Sequence, residues 1–538
     1  MSAREEYFHI GLLFALCVVV FFVGLGIQDI WDIDEGMHAA MAQNMVISGD
    51  WVTPVFNGVA FFDKPALFNW SNAIAFVLFG VTESAARMPS AIAGFGCVVL
   101  TYLFGRKIFD AKTGLLAGVI LATSFEMMVL SRVVQYDIPF TFFTTLALYC
   151  FASGAIDESM RRRYFLAFYM AIALAFLTKG PLAIVLTGLV IGPYLLHPDR
   201  IKLLLKMQIP LGIMIFLLIV TPWFVLMEKA NPGYVHYFLV QQHAANFLGG
   251  TGEYTPRHPE PFYYYLPVLL LGLLPWSLML PQAITRAIKY RRTSKTGMIL
   301  FLVMWVVFIF LFFSAATSKL GTYLLPIFPA AALLLGRYWY EFLERPTKRS
   351  RIGVLFGTGV VFALLGLFTG YVIVEKPWAY VGFRSGVVWK EFEIAMSLIS
   401  ALFGLAFLLT WFRKNLHLFI VFSVISPIFL FYTLFAVVPD VNAYKGSKQI
   451  AVELDRLLPP GEKFRFYGQL LDSAVFYAQR DAVVLKTEQE LNEYLADENR
   501  VYVLVRSRAR TEEDAFKDDY HVLKVIGNKA IVSNKPDT

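Results

Sequence analysis

Three carboxylates stand at the end of the first apolar stretch of the chain, where the sequence runs WDIDEGMHAA. Asp34 and Glu35 could remove or deliver a proton, because general acid–base catalysis needs a carboxyl group within hydrogen-bonding reach of a substrate hydroxyl. Asp137, in SRVVQYDIP, opens a later apolar stretch. If both stretches cross a membrane, the acids lie at one depth and could act on one substrate. The simpler alternative is that Asp32, Asp34 and Glu35 end one helix and cap the next.

Three lysines stand in turns beside apolar stretches. They are Lys64 in FFDKPALFNW, Lys179 in FLTKGPL and Lys319 in TSKLGTYLLP. A lysine at the end of a membrane helix often only extends its ammonium group toward water, and this remains the alternative for each. Together with the acids, the lysines indicate a phosphate or pyrophosphate site, because ammonium groups supply the point charges that phosphate oxygens bind.

A glycine- and aromatic-rich segment, VQQHAANFLGGTGEYTPRHPEPFYYYLP, adds further polar candidates. It contains His243, Arg257 and His258, and it could close over a substrate or form a structured cover. His243 together with Asp63 could hold a divalent metal, Zn²⁺ or Mg²⁺. The spacing does not require a metal, so a site without a cofactor stays open.

The composition of the chain indicates which kind of structure holds these residues in place. The chain has 538 residues, of which 57% are hydrophobic and 16% charged, and its mean hydropathy is +0.59. Soluble proteins carry about a quarter charged residues. We therefore expect an α-helical polytopic membrane protein with about 13 transmembrane helices. The expected spans are 9–29, 88–105, 113–130, 138–156, 164–178, 181–196, 207–227, 262–282, 298–314, 322–340, 353–375, 394–412 and 416–438.

Charge in the connections predicts the topology. With the N-terminus in the cytoplasm, the short cytoplasmic connections hold about twice as many Lys and Arg residues as the longer outer loops, as the positive-inside rule requires. The net charge of +7 follows from this asymmetry and gives no reason to expect nucleic acid. We expect the first span to be retained rather than cleaved. The three cysteines fall inside predicted spans and form no disulfide or metal-binding pattern.

The chain divides into a membrane part, residues 1–438, and a tail, residues 439–538. We expect the outer loops 30–87 and 228–261 to carry the active site, with EGMHAAMAQNMVIS and PALFNWSNAIAFVLFG as helices lying in the membrane interface. The sequence pattern of the tail predicts a small α/β domain. Its predicted strands are FRFYG, SAVFYA, AVVLK, RVYVLVRSR, HVLKVIG and AIVSN, and its predicted helices are KQIAVELDRLL and EQELNEYLADE.

Two classes of membrane protein fit this sequence, namely transporters and enzymes that act at the membrane surface. Transporters place ionisable residues near the middle of the membrane on broken helices and usually contain repeats. Here the centres of the predicted spans are almost free of charge, with Glu126 the main exception, and no internal repeat is visible. Charge gathers instead at the outer ends of the spans. This pattern favours an enzyme whose active site lies at the membrane surface, with a flippase for lipid-linked sugars as the alternative.

These motifs resemble the GT-C membrane glycosyltransferases that use polyprenyl-phosphate sugars. The likeness is to the family of lipid A 4-amino-4-deoxy-L-arabinose transferases, and more distantly to protein O-mannosyltransferases. It extends over about residues 20–340. The segments that carry it are WDIDEGMHAAMAQNMVISGDWVTPVFNGVAFFDKPALFNW, SRVVQYDIPF, FLTKGPLA, PFYYYLPVLLLGLLPW and SKLGTYLLPIFPA.

The resemblance implies a role for individual residues. Asp34 corresponds to the family's acid after the first span, and Asp137 to its partner. Lys64, Lys179 and Tyr323 fall at donor-phosphate positions, and Lys319 assists. Asp63 and His243 match positions at which members of the family hold a metal. The family's arginine after the histidine is missing from HAANFLGG, so that phosphate contact is either absent or supplied by Arg257.

The implied reaction transfers a sugar, such as 4-amino-4-deoxy-L-arabinose, from undecaprenyl phosphate with inversion at the anomeric carbon. The implied acceptor is lipid A or lipopolysaccharide, on the periplasmic face of a bacterial inner membrane. A protein or another envelope glycan is the alternative acceptor. We expect membrane lipids as the surroundings, a monomer, and no nucleic-acid partner. No glycine-rich nucleotide-binding loop follows a predicted strand, which agrees with a lipid-linked donor.

Overall fold

The computed structural model describes residues 3–32, 34–245, 259–290, 297–375, 386–459, 461–506 and 520–536. Its membrane part consists of helices and one short hairpin of strands β1, Val55–Phe56, and β2, Val59–Ala60. The first nine helices are α1 Ala3–Cys17, α2 Asp34–Ser48, α3 Leu67–Phe79, α4 Glu83–Ile108, α5 Ala111–Ala122, α6 Phe125–Leu130, α7 Asp137–Ile156, α8 Arg161–Lys179 and α9 Leu182–Leu195.

The remaining helices of the membrane part continue to the junction with the tail. They are α10 Pro198–Ile201, α11 Ile209–Ala230, α12 Tyr234–His236, α13 Tyr265–Gly272, α14 Leu280–Tyr290, α15 Met298–Ala315, α16 Phe328–Glu344, α17 Lys348–Glu375, α18 Gly386–Trp411, α19 Asn415–Tyr432 and α20 Val438–Lys445. Turns of π-helix continue α1 at Val18–Phe22 and α12 at Tyr237–Ala245, and join α19 to α20 at Thr433–Val437.

Among the described residues, eight helices are long and apolar enough to cross a membrane. The number rises to ten if each of two sharply bent helix pairs counts as one span. Every expected span falls on helical residues, but several are interrupted or short. The span expected at 113–130, for example, is divided into α5 and α6 at Thr123. The chain is a multi-pass membrane protein, and the count of thirteen stays a prediction.

Aromatic side chains fill the core between the helices. Trp276 and Trp339 are fully buried, and their rings lie 5.8 Å apart at nearly a right angle. Phe419 of α19 packs against both, at 5.1 and 5.2 Å between ring centroids. The indole N–H of Trp276 donates to Thr123 Oγ1 at 3.0 Å, at the break between α5 and α6. This contact satisfies a polar group that would be costly to bury alone.

Arg87 of α4 ties the outer end of α1 to the start of α2. Its side chain is 1% exposed, and all five of its N–H groups donate. Three go to the backbone carbonyls of Leu25, Gln28 and Asp29, and two go to the carboxylate of Glu35, each at 2.8 Å. Glu35 Oε1 also accepts from Val134 N and Oε2 from Trp31 N. The arginine therefore joins three segments around one buried ion pair.

The tail forms a five-stranded sheet, as expected of an α/β domain. Its strands are β3 Phe464–Tyr467, β4 Ala482–Leu485, β5 Tyr502–Arg506, β6 His521–Ile526 and β7 Lys529–Ser533, in the order β4-β3-β5-β7-β6. Strand β3 pairs in parallel with β4 and β5, and β7 pairs antiparallel to β5 and β6. Helices α21, Lys448–Leu457, and α23, Glu488–Leu495, lie where the sequence predicts them.

One expectation for the tail is wrong. The segment SAVFYA, predicted as a strand, belongs to helix α22, Asp472–Ala478. A short apolar run does not distinguish a strand from a buried helix by periodicity. Here α22 is buried on nearly every side, because it packs between α2 and α21. Its Phe476 stacks on Phe76 of α3 at 6.1 Å. The tail therefore rests directly on the first outer loop.

Polar contacts fix this docking. Asn57, in the hairpin of the first loop, exchanges two hydrogen bonds with the backbone of Ala482, at 2.6 and 3.0 Å. Tyr477 of α22 accepts from Ile30 N at 2.7 Å and donates to Glu83 at 3.0 Å. Lys529 is 1% exposed and donates to the carbonyls of Tyr444 and Gly446, at 2.9 and 2.7 Å. Helix α2 is consequently largely enclosed by protein, and its position in the membrane interface stays a prediction.

We predict that Glu35→Gln destabilises the protein. Removing one partner of a buried ion pair leaves the other charge uncompensated and typically costs about 3–5 kcal/mol. Thermal unfolding in detergent should therefore shift to lower temperature by several degrees. Glu158→Gln, at a surface ion pair with Arg161 in which the glutamate is 79% exposed, is the control and should change the unfolding temperature little. Equal shifts for the two variants would contradict the structural role of Glu35.

We predict a second effect at Asp472, which is 7% exposed at the interface of α22 with α2. Burial, and then the charges of Asp32 and Asp34, raise the pKa of Asp472 from 3.8 to about 7. The folded protein therefore binds a proton that the unfolded chain releases, and stability falls as the pH rises from about 4 through 7. The loss is at most about 4 kcal/mol.

Thermal unfolding at pH 5 and pH 8 measures this effect. Asp472→Asn should raise the unfolding temperature at both pH values, and by clearly more at pH 8 than at pH 5. Asp497→Asn, at an exposed carboxylate of the same domain, is the matched control and should behave like the wild type. A larger gain at pH 5 than at pH 8 would contradict the assignment.

Candidate active site

Helix α2 presents Asp34 at its N-terminus. Asp34 is the first residue of the helix and is exposed, whereas its neighbour Glu35 is buried. A carboxylate at this position is favourable because the N-terminal N–H groups carry partial positive charge. The helix ends at Ser48, and Gly49 follows at a φ of +74°. The helix and the residue at which it ends are as the sequence predicts. Asp34 lies on the exposed side of α2, away from the buried side that holds Glu35.

Glu35, predicted as a catalytic residue, has a different role in the structure. Both of its carboxylate oxygens are engaged by Arg87, and each also accepts from a backbone N–H. A carboxylate with these four hydrogen-bond partners and 5% exposure has both oxygens occupied and is closed off from a substrate. The sequence could not distinguish Glu35 from Asp34, because Arg87 lies 52 residues away along the chain. We correct the assignment of Glu35 to a structural one.

Asp137 and Lys179 form a buried ion pair. Lys179 Nζ donates to Asp137 Oδ1 at 2.6 Å, and the two side chains are 8% and 7% exposed. Asp137 begins α7 and Lys179 ends α8, so a helical hairpin brings them together. The ammonium also lies 4.5 Å from the ring centroid of Tyr323, a cation–π distance. Three of the predicted residues therefore share one site.

Lys64 and Asp63 follow the β1–β2 hairpin in the first loop. Both are half-buried, and Lys64 Nζ donates to the carbonyl of Asp63 at 3.2 Å. Asp63 Oδ1 accepts from the hydroxyl of Tyr237 at 3.3 Å, which connects this turn to the second outer loop. The hairpin sets the exit direction of the chain, because Asn57 and Gly58 both adopt positive φ.

Buried side chains of α2 and α3 pack against Tyr136, the residue before Asp137. His38 of α2 is 7% exposed, and its ring lies 4.7 Å from that of Tyr136, the residue before Asp137. The hydroxyl of Tyr136 donates to Asn69 Oδ1 at 2.9 Å. Burial, followed by the charge of Lys64, lowers the pKa of His38 to about 3, so this imidazole is neutral.

The sequence interpretation did not include His38, Tyr136 or Asn69 among the site residues. A pattern in the chain could have indicated His38, since it follows Asp34 by four residues and thus lies on the same face of α2. The contacts of Tyr136 and Asn69 depend on packing between α3 and the start of α7, and no local pattern predicts them.

Lys319 is predicted to assist at the donor phosphate. In the structure its ammonium is hydrogen-bonded to backbone carbonyls around its own turn. Its ammonium donates to the carbonyl of Glu260 at 2.8 Å and to that of Ala316, and the residue is 4% exposed. A lysine with carbonyl partners holds backbone together and is poorly placed to reach a ligand. We therefore assign Lys319 to the link between the SKLGTY turn and the segment before α13.

Other predicted residues lie outside the described part of the chain. Arg257 and His258 fall in the gap between 245 and 259, and the side chain of His243 is likewise not described. Among the described residues, no group of three or more His, Cys, Asp and Glu side chains could hold a metal ion. Asp63 is present as one potential ligand, with Tyr237 as its hydrogen-bond partner. Metal binding by Asp63 and His243 stays a prediction.

The arrangement suits the chemistry of a phosphorylated lipid. Two cationic groups belong to it: Lys64, in the turn before α3, and Lys179, the last residue of α8. An exposed carboxylate, Asp34, stands at the N-terminus of the helix that packs against α3. A site with an anion-binding side and a carboxylate can hold a leaving phosphate and orient an attacking oxygen.

Comparison with known proteins agrees with this geometry. A family model described as dolichyl-phosphate-mannose-protein mannosyltransferase matches residues 63–226. An undecaprenyl phosphate-α-4-amino-4-deoxy-L-arabinose arabinosyl transferase of Edwardsiella ictaluri is 31% identical over 387 residues, 71% of this chain and 67% of that protein. A second such transferase, of Proteus mirabilis, is 31% identical over 362 residues, 66% of this chain and 64% of that protein. The aligned part thus spans about two thirds of the length of these curated relatives.

Solved structures show the same fold. The crystal structure of ArnT from Cupriavidus metallidurans bound to undecaprenyl phosphate is 23% identical, covers 99% of both chains and has a TM-score of 0.81. The archaeal oligosaccharyltransferase AglB from Archaeoglobus fulgidus covers 94% of this chain and 70% of its own, with a TM-score of 0.51 and 13% identity. The chain therefore belongs to the family of undecaprenyl phosphate-α-4-amino-4-deoxy-L-arabinose arabinosyl transferases, which are membrane glycosyltransferases of the GT-C fold.

Proposed function

We propose that this protein transfers 4-amino-4-deoxy-L-arabinose from undecaprenyl phosphate to lipid A. The observation that carries the proposal is the Asp137–Lys179 pair, next in the chain to Tyr136, whose ring meets that of His38, a residue within electrostatic reach of Lys64. In a member of this family, two ammonium groups of this region would bind the phosphate of a lipid donor. The names of the relatives supply the sugar and the carrier lipid.

The donor phosphate would be the leaving group. The bond between the anomeric carbon and the phosphate oxygen breaks, that oxygen keeps the electron pair, and an acceptor oxygen forms the new bond on the opposite face of the sugar. Negative charge therefore grows on the phosphate. Lys64 and Lys179 would stabilise that charge, because preorganised cations act most strongly where charge develops in the transition state.

Asp34 would act on the acceptor side, and its role depends on the acceptor. A hydroxyl acceptor must lose its proton, and Asp34 would then serve as general base. A phosphate of lipid A is already ionised near neutral pH and needs no base. In that case Asp34 would orient the acceptor or stabilise positive charge at the anomeric carbon.

We also propose the orientation of the protein in a bacterial inner membrane. The concentration of Lys and Arg in the short connections supports a cytoplasmic location for that side. Residues 30–87, 228–261 and the tail would then face the periplasm, where lipid A becomes accessible to the site. The docking of the tail on the first loop supports a common side for the two.

A protein acceptor is a second candidate. The observation that favours it is the match of residues 63–226 to the mannosyltransferase family model. The two candidates share the donor side of the site and differ in the acceptor. Transfer of labelled sugar to purified lipid A or to a serine- and threonine-containing peptide distinguishes them, and we expect product with lipid A alone. Product with the peptide alone would replace the lipid A proposal.

We predict that Asp34→Asn and Lys64→Ala each lower sugar transfer at least about 100-fold, since each removes a group that acts on the transition state. The measurement is transfer of radiolabelled sugar from undecaprenyl phosphate to lipid A in proteoliposomes. Lys112→Ala, at a lysine that is 70% exposed on α5, is the matched control and should keep wild-type activity.

The folded state of each variant is checked by thermal unfolding. If folded Asp34→Asn transfers sugar at the wild-type rate, Asp34 has no catalytic role. If the wild type transfers no sugar to any acceptor but moves the lipid-linked sugar across the bilayer, the enzyme proposal fails and the protein is a flippase.

A further inference from the structure

The strongest unexplained contact in the outer part of the protein joins the tail to the residues directly before Asp34. Asp32 lies two residues from Asp34 in the chain, on the segment that leads into α2. Its Oδ1 accepts from the backbone N–H of Ser473 at 2.8 Å, and its Oδ2 accepts from the hydroxyl of Ser447 at 3.4 Å. Both serines belong to the tail. The carboxylate of Asp32 is therefore used for docking and not for substrate.

Backbone contacts fix the same segment. Trp31 pairs with Gly446 as an antiparallel β-bridge, and Asp32 N donates to the carbonyl of Lys445 at 3.2 Å. The indole N–H of Trp31 donates to Asn442 Oδ1 at 2.9 Å. Trp31 and Asp32 are thus bound to the end of α20 and to the residue that follows it.

Helix α2 also approaches the tail more closely than a side chain would allow. A Cβ added to Gly36 would lie 2.4 Å from Ser473 N and 2.7 Å from the carbonyl carbon of Asp472. Real Cβ atoms essentially never come this close to backbone, so any other residue at position 36 would separate α2 from α22. The first turn of α2 is seated against the N-terminal turn of α22.

Asp34 therefore stands between two anchors. On one side, Glu35 is bound by Arg87 of the membrane part. On the other, Asp32 is bound by the tail. The charge of Asp34 is also felt by Asp472 of α22, which places the tail within electrostatic reach of the proposed catalytic carboxylate.

We propose that the tail is a working part of the active site, in which Asp32, through its bonds to Ser473 and Ser447, positions Asp34. Asp32 touches no substrate and acts through Asp34. The inference rests on the proposed function, because it needs the catalytic role of Asp34. The proposal gives the tail a role in catalysis, although the residues of the tail themselves do not indicate a catalytic site.

The test uses Asp32→Ala, which removes the acceptor, and Gly36→Ala, which pushes the tail away. Both should lower kcat about 10- to 100-fold, since a displacement of about 1 Å in a catalytic group can cost that much. The KM for the lipid donor and the affinity for undecaprenyl phosphate should stay within about two-fold, because donor binding depends on other elements. Asp32→Asn keeps an oxygen for Ser473 N and should lose less activity than Asp32→Ala.

The matched control is Gly188→Ala, at a glycine of α9 with open space around its Cβ position. It should leave kcat, KM and thermal unfolding unchanged. Each variant is also combined with Asp34→Asn. If Asp32 acts through Asp34, its removal causes no further loss in that background, whereas independent effects would multiply.

Three results would overturn the proposal. The first is an unchanged kcat in Asp32→Ala and Gly36→Ala. The second is a parallel loss of kcat, donor binding and thermal stability, which shows a general defect of folding. The third is full additivity with Asp34→Asn. If Asp34→Asn has no measurable turnover, the double variants give no information. The proposal is then tested by whether Asp32→Ala and Gly36→Ala lower kcat while donor binding stays unchanged. Full activity in Asp34→Asn would instead refute the proposed function itself.

Discussion

The buried ion pair of Arg87 and Glu35 is the interaction on which the outer half of the protein depends. A guanidinium with 1% exposure is tolerated only if every N–H group finds an acceptor and its charge finds a partner. Three backbone carbonyls at the exit of the first membrane helix and one carboxylate meet that requirement. Because these acceptors come from separate segments, the arginine determines where α2 starts relative to α1 and α4.

The position of Asp34 follows from that constraint. Two neighbouring residues of one helix point in different directions, so fixing Glu35 inward leaves Asp34 outward at the helix N-terminus. The tail then restricts the same turn from the other side, through Asp32 and the close approach at Gly36. A catalytic carboxylate on a loop would be mobile, but here it lies on a helix that is held at both flanks. Precision of this kind is what an enzyme site needs from its supporting residues.

Sequence patterns predicted the parts of the structure that depend on local chemistry. The membrane helices follow from apolar length, α2 and its end at Gly49 from helical spacing, and most tail strands from alternation. Asp34, Asp137 and Lys179 stand at helix ends, as the sequence predicts, and their place on the outer side of the membrane stays a prediction. The individual roles of Glu35 and Lys319 were not predictable, because their partners, Arg87 and the carbonyl of Glu260, are distant in the chain. The strand predicted for SAVFYA was wrong for a related reason, since this segment forms a helix that is stabilised by burial against α2.

The pair of Asp137 and Lys179 shows how a buried lysine can serve a charged lipid. An ammonium enclosed by apolar groups would be costly without a counter-charge, and Asp137 supplies it at 2.6 Å. Lysine has three N–H donors, and Asp137 engages one of them, so the same ammonium can also meet phosphate oxygens. When the sugar departs, the phosphate changes from a diester with one negative charge to a monoester with nearly two. In the proposed reaction, a lysine held by a carboxylate and resting on the ring of Tyr323 would be in place for the second charge.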